Sequence, residues 1–342
     1  MFQKKAKGLF AEVSPYQVKL ARVDRVATPL VVEDLVEIPV TTVGETKRVI
    51  ESFAGNTKAS FAQARCSVYP EDRFLHRYTT ESPGRTRQKD FGDTTLKSQL
   101  GLDPSETAYQ VLHPITGTRY DPDVALSRDL LFAGANRQTL KEEQSRLIEM
   151  GIYPTRLEIS SIPLCGGIRR AAVDDDLETS FLVIELSENS SYGYVVNHDG
   201  LALSQSFKFG VSKIAESIKD ELGLQDTLSA RKVMLSKTFD FGDMGSTLLS
   251  ALIAEVSAST GQFEVQTGNS IHHLLVPGLP ESLSWITEVL AEKLELQIWQ
   301  PSLQKWLEKS GISLSDRIRK MENLSHYLPL FCQMANLQSD KK

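Results

Sequence analysis

The sequence lacks most of the signals that would assign it quickly. It has no apolar run approaching the ~20 residues that cross a bilayer. It has no CxxC pair and no GxxxxGK-Ser/Thr phosphate loop. Cysteine is scarce: Cys66, Cys165 and Cys332 are far apart and odd in number. That usage fits a reducing compartment and calls for neither a disulfide nor a metal role. Excess positive charge is also missing. The formal net charge is -6, which argues against general nucleic-acid binding. The start of the chain carries Lys4, Lys5 and Lys7, but Glu12, Ser14 and Gln17 follow soon after. No apolar stretch of signal-peptide type develops, so none is expected.

What is present reads as an α/β protein. A length of 342 residues exceeds one simple core, so two or more subdomains are expected. Runs at 9–13, 18–23 and 30–40 are rich in Val, Leu and Ile, with Ser14-Pro15 and Ala27-Thr28-Pro29 between them. They predict three strands, followed by a short helix over 45–53 and a buried strand at 66–69. From 70 to 120 the pattern weakens, and 81–90, with the basic Arg85, Arg87 and Lys89, reads as a solvated loop. Order returns at Leu130-Leu131-Phe132-Ala133-Gly134, a strand. Asn136 suits a helix N-cap, Leu140, Leu147 and Ile148 share a helix face, and Gly151 suits the position just past its end. A further strand is predicted over 156–159 and a junction over 171–180.

The second half opens in the same way. Runs at 181–184, 192–196 and 201–209 predict three strands, with Asp199-Gly200 as a hairpin turn. Val211, Ile214, Ala215 and Ile218 share one helix face, and Leu248, Leu249, Leu252, Ile253 and Val256 share another. A strand at 271–276, a helix through Leu283, Ile286, Leu290 and Leu294, and a short strand at Leu296 and Ile298 follow. Three strands, then helix and strand, in each half is a duplication of topology.

This order resembles the actin-like ATPases, and among them the PilM-type assembly proteins of type IV pili, relatives of FtsA. The resemblance is carried by LLFAGANRQTLKEEQSRLIEMGIYPTRLEISSIPL at 130–164, by LIAEVSASTGQFEVQTG at 252–268, by 286–301 and by a closing helix at 325–337. It implies a two-lobed actin-like ATPase (ribonuclease H-like) α/β fold with an inserted subdomain in the first lobe. The expected divisions are a first lobe at 1–65 and 155–178, the insert at 66–154, a second lobe at 179–311 and a closing helix with polar tail at 312–342.

The resemblance also implies a nucleotide cleft, and three motifs of that cleft depart here. The first phosphate loop reads Glu12-Val13-Ser14-Pro15-Tyr16-Gln17-Val18-Lys19; Lys19 and an acidic residue survive, but the family's glycine is Ser14. Pro15 removes a backbone N–H that a phosphate would use. The second loop reads Glu185-Leu186-Ser187, again with no glycine, and the adenosine motif keeps Gly278 between Pro277 and Pro280. Phosphate cradles use glycine for positive φ and for space beside the ligand. The cleft of Glu12, Ser14, Lys19, Glu185, Ser187 and Gly278 is therefore read as degenerate. Neither ATP nor magnesium is expected as a resident cofactor, and no catalytic residue is assigned.

The partner implied by the resemblance is the N-terminal cytoplasmic tail of a PilN-like inner-membrane protein, which would place the chain in the cytoplasm at the inner face of that membrane. In the resembled family the tail lies in a groove between the first lobe and the insert. Arg73, Phe74, His76, Arg77 and Tyr78, aromatic and cationic, are the residues of the insert expected to meet it. Rival readings are an active ATPase of the same fold and an FtsA-like membrane tether built on the apolar residues of 312–337. No metal site is expected. His272 and His273 are adjacent in a strand and face opposite sides, and Asp174, Asp175 and Asp176 read as a solvated linker.

Overall fold

The computed structural model describes residues 8–40, 43–55, 61–236 and 238–336. It divides into two units, the first made of 1–170 and 303–342 and the second of 171–302. The stretch 338–342, expected to be a polar tail, lies outside the described residues.

The first unit begins with an antiparallel meander, β1 (Gly8–Val13), β2 (Gln17–Val23) and β3 (Leu30–Pro39). Helix α1 (Val43–Ala54) then crosses over to β4 (Ala62–Val68), which runs parallel to β1. The insert follows: β5 (Phe74–Thr79), a 3-10 turn at Pro83–Arg87, α2 (Phe91–Leu100), β6 (Thr107–Leu112) and β7 (Asp129–Asn136). Its three strands form an antiparallel sheet in the order β5-β7-β6. The 70–120 region is thus ordered where sequence pattern was weak. Its core is small, with Leu96, Tyr120, Leu130 and Phe132 as the buried centre and Phe74, Tyr78, Phe91 and Tyr109 packed around it.

Helix α3 (Arg137–Glu149) returns the chain to the first sheet. Its expected cap is real: the Asn136 carboxamide oxygen accepts from the Gln138 N–H at 2.7 Å. Gly151, at φ 83°, ends the turn after the helix. Strand β8 (Ile152–Ile159) pairs parallel with β4, and α4 (Ser161–Asp174) follows, running through part of the predicted 171–180 junction.

The second unit repeats the meander with β9 (Ser180–Leu186), β10 (Ser191–Asn197) and β11 (Gly200–Phe207). Helices α5 (Val211–Glu221), α6 (Thr227–Met234), α7 (Gly242–Leu248) and α8 (Ser250–Thr267) precede β12 (Ile271–Leu275). The face predicted through Leu248–Val256 is split, because Leu249, at φ -100° and ψ 3°, ends α7 and starts α8. Helix α9 (Ser284–Lys293) and β13 (Gln297–Ile298) complete the unit.

The chain then re-enters the first unit as α10 (Leu303–Lys309), β14 (Ile312–Leu314) beside β3, α11 (Asp316–Arg319), a 3-10 turn at Leu324–Tyr327 and α12 (Leu328–Ala335). The large sheets read β14-β3-β2-β1-β4-β8 and β11-β10-β9-β12-β13. Apart from β14 the two orders are identical in kind: third, second, first, fourth, fifth. The predicted duplication is therefore present in the strand order itself.

Candidate functional site

Strands β1 and β2 place Glu12 directly opposite Lys19. Both side chains are 1% exposed. Their charged ends are 3.9 Å apart, and the Lys19 ammonium donates to the main-chain carbonyl of His326 at 2.6 Å. The Tyr69 hydroxyl donates to the other oxygen of Glu12 at 2.7 Å.

The loop between these strands closes on itself. The Ser14 N–H donates to the Gln17 carbonyl at 3.0 Å. The Ser14 hydroxyl accepts from the N–H groups of Tyr16 at 3.3 Å and Gln17 at 3.2 Å. Pro15 has no N–H. The main-chain donors that a phosphate would need are all engaged within the turn.

The second unit treats its loop the same way. Glu185 and Ser187 are buried at the end of β9 and just beyond it. The first N–H groups of α5, the natural seat for an anion, are occupied: Val211 donates to the Ser187 carbonyl at 3.1 Å and Ser212 to the Glu188 carbonyl at 2.9 Å. The Glu188 carboxylate is held by Ser212 and by both terminal nitrogens of Arg231. Burial pushes its pKa up, but the bonds from Arg231 and Ser212 outweigh that and leave it below the ordinary value. Gly210 permits the close approach, since a Cβ there would lie 2.4 Å from the Glu188 carbonyl oxygen. Gly278 keeps a left-handed φ of 77° in the turn after β12. Glu12, Ser14 and Lys19 thus belong to the first unit, and Glu185, Ser187 and Gly278 to the second.

Within the first unit, a groove of about 630 Å³ runs between the insert and β8. One wall is the face of the small sheet that does not cover the aromatic core: Ala108, Gln110 and Leu112 of β6 with Ala133 of β7. The other is β8 from Arg156 to Ile159, with Ile162 and Pro163 of α4 and with Asn336 just past α12. Arg156 pairs with Glu158. Burial raises the Glu158 pKa, against the pull of Arg156, Arg65 and an Asn336 hydrogen bond. One oxygen of Glu158 and one terminal nitrogen of Arg65 are buried without a partner among the described residues.

The five residues expected to meet a partner sit elsewhere in the insert, on β5 and just before it. None lines this groove. Arg73 is 2% exposed and donates to the Ser161 hydroxyl at 3.1 Å and the Pro70 carbonyl at 3.0 Å. Phe74 and Tyr78 pack against the insert's core. Burial lowers the pKa of His76, and Arg77 reaches Asp129 at 3.6 Å. Strand β5 is one edge of the small sheet and β6 the other. The groove residues on β6 fell in the stretch of weak pattern; the alternation within Thr-Ala-Tyr-Gln-Val-Leu at 107–112 is the signal that would have found them.

No family model and no curated protein matches the sequence. Solved structures do. A chain from a PilM-PilN type IV pilus biogenesis complex superposes with a TM-score of 0.69 at 16% identity, over 99% of this chain and 100% of that one. The chain has the PilM-like, actin-like fold. More distant matches include a Bacteroides thetaiotaomicron protein of actin-like ATPase fold and unknown function, with a TM-score of 0.46 at 9% identity over 98% of both chains. An archaeal actin homologue matches with a TM-score of 0.44 at 9% identity, over 98% of this chain and 100% of that one. Among the described residues, no helix is long and apolar enough to cross a membrane.

Proposed function

We propose that this chain is a cytoplasmic scaffold of a type IV pilus or related secretion machine. It holds the N-terminal cytoplasmic tail of a PilN-like inner-membrane protein and turns over no ATP. The observation that carries the reading is the groove between the insert and β8. Its lining mixes apolar side chains such as Ala108, Leu112, Ala133 and Ile162 with polar ones such as Gln110, Arg156 and Glu158, a composition that suits a peptide. The nearest fold relative described above comes from a complex with PilN. The self-closed loops at Ser14 and Ser187 support the second half of the reading, because the N–H groups of Ser14, Tyr16, Gln17, Ser187, Val211 and Ser212 are engaged within the protein.

The test is a titration of a synthetic peptide of the PilN-like tail against wild type and Ala108→Arg. The variant places a long cationic side chain on the β6 wall of the groove, at a partly buried strand position. Wild type is expected to bind at roughly micromolar strength, the range of short peptides, and the variant at least about tenfold more weakly. Equal affinities would move the site off β6. Absence of binding by wild type would remove the reading.

A further inference from the structure

The two large sheets differ at one end. In the first unit the third strand, β3, is covered on its outer side by β14, which the closing segment lays parallel to it. In the second unit the matching strand, β11, is the last of its sheet, and no strand of the described residues lies beyond it. The direction of its main-chain groups follows from the hairpins. The Ser187 N–H donates to the Ser190 carbonyl at 2.9 Å, so Ser190 turns its main chain towards β9. Successive residues of a strand turn theirs to opposite sides. Ser191, Gly193 and Val195 of β10 therefore face β11, where they meet Phe207, Gln205 and Leu203. Ser204 and Ser206 direct their N–H and C=O away from the sheet. The Ser206 carbonyl accepts from the carboxamide of its neighbour Gln205 at 3.3 Å, as an outward carbonyl can.

This edge carries little that would discourage pairing. Exposed edges are commonly blunted by charged residues or proline. From Gly200 to Phe207 β11 has neither, and a bulge at Ala202 is confined to its start. The covered edge, β3, has Glu33, Asp34, Glu37 and Pro39. Charge lies instead just outside the two ends of β11. Asp199 precedes it, with its side chain 52% exposed and paired with the adjacent His198 at 3.2 Å. Lys208 follows it, exposed and without an ion pair among the described residues. A strand that is acidic before its start, basic after its end and uncharged between complements a copy of itself running the other way.

We infer that β11 pairs antiparallel with β11 of a second copy of this chain, about a two-fold axis at Ser204, so that two five-stranded sheets join into one of ten strands. The Ser204 main chains of the two copies exchange both hydrogen bonds across the axis. In this register Phe207 lies opposite Leu201 of the second copy, and Lys208 lies beside Asp199 of that copy. No like charges meet along the strand. The contact is isologous, so it closes as a dimer and does not propagate into a filament. It uses the second unit alone and does not depend on the reading of the groove in the first. Where both hold, each dimer offers two grooves, and two linked tails bind it more tightly than either alone.

The test is sedimentation of the full chain over a concentration series up to ~100 µM, within which wild type is expected to dimerise. Ser204→Pro removes an outward N–H that β10 does not use, a change edge strands accept. It should weaken the dimer about tenfold or more. Lys208→Glu should weaken it about fivefold, and adding Asp199→Lys should bring it back to within about twofold of wild type. These charge variants leave the main chain of the strand intact, so they decide the matter even where proline disturbs folding. Ser204→Cys should form a disulfide-linked dimer on oxidation, because facing residues of such a pair are about 5.5 Å apart at Cα. The chain's own Cys66, Cys165 and Cys332 are buried and do not compete. Wild type that stays monomeric through the series would overturn the inference. So would a dimer that neither Ser204→Pro nor Lys208→Glu weakens, since its contact would lie elsewhere.

Discussion

The Lys19 ammonium is held by the main-chain carbonyl of His326, 307 residues along the chain, at 2.6 Å. In a nucleotide-dependent protein of this fold a lysine at the first loop would be kept for phosphate. Here it ties the closing segment to the middle of the first sheet. A buried ion pair is costly to break from one side, because the remaining charge is stranded; losses of about 3–5 kcal/mol are typical. Lys19→Met should therefore destabilise the chain by about 3 kcal/mol in urea unfolding, with no ligand present. Lys19→Met combined with Glu12→Gln should cost less than the two single changes added together. A stability change under about 0.5 kcal/mol for Lys19→Met would show that the lysine is not structural.

Nucleotide turnover should be absent. The donors of the Ser14 loop are closed within the turn, and the start of α5 is capped by the Ser187 and Glu188 carbonyls. Phosphate release with ATP and magnesium should match a protein-free control, and Glu185→Ala should not alter it. Steady release that Glu185→Ala abolishes would sink this expectation.

Glu188 gives the second unit a pH dependence of known sign. Its folded-state pKa lies below the ordinary carboxylate value because Arg231 and Ser212 hold the charged form against the effect of burial. A depressed carboxylate contributes stability that is present above its unfolded pKa of roughly 4.3 and is lost as pH falls through the folded value. The pair is one-third exposed, so solvent screening limits the contribution to about 1 kcal/mol. Arg231→Met should lower the stability of the second unit by that order at pH 7. The gap to wild type should close as pH falls below 4.3, which urea titrations at several pH values would check. A gap that stays constant through this range would assign the loss to packing instead.

The order of elements was legible because apolar runs and turn residues agreed at each step: Asp199-Gly200 between β10 and β11, and Asn136 and Gly151 around α3. The insert was less legible. Its strand β6 exposes Gln110 and has a small core, so burial leaves little imprint on its composition. The added strand β14 is only three residues long and gains its place from β3, not from its own pattern. At the site, Pro15 and the missing glycines pointed to altered loops. The sequence could not show that the Ser14 hydroxyl bonds the N–H groups of its own turn, since that depends on loop geometry. A groove between the first lobe and the insert was expected, but the residues of β6 and β8 that line the observed one were not singled out. The packing of Phe74 and Tyr78 on the insert's core and the bond from Arg73 to Ser161 depend on the fold and were not legible in the aromatic and basic composition of 73–78.

The closing segment supplies the last prediction. An FtsA-like tether would need its apolar residues free to enter a bilayer. In α12 every residue from Leu328 to Ala335 is buried, with Leu330, Phe331, Cys332 and Met334 at 0% exposure. The helix packs on β1, β2 and α10, and Cys332 fits so closely that a Cβ on Gly167 would lie 2.2 Å from its sulfur. Releasing the segment would expose several large side chains at about 1.5–3 kcal/mol each, more than shallow membrane insertion of one eight-residue helix could restore. Wild type should therefore fail to float with anionic liposomes, and Phe331→Asp should cut stability by about 3–5 kcal/mol without altering flotation. Flotation by wild type that is lost when 312–342 is removed would establish the tether and overturn the packing account of α12.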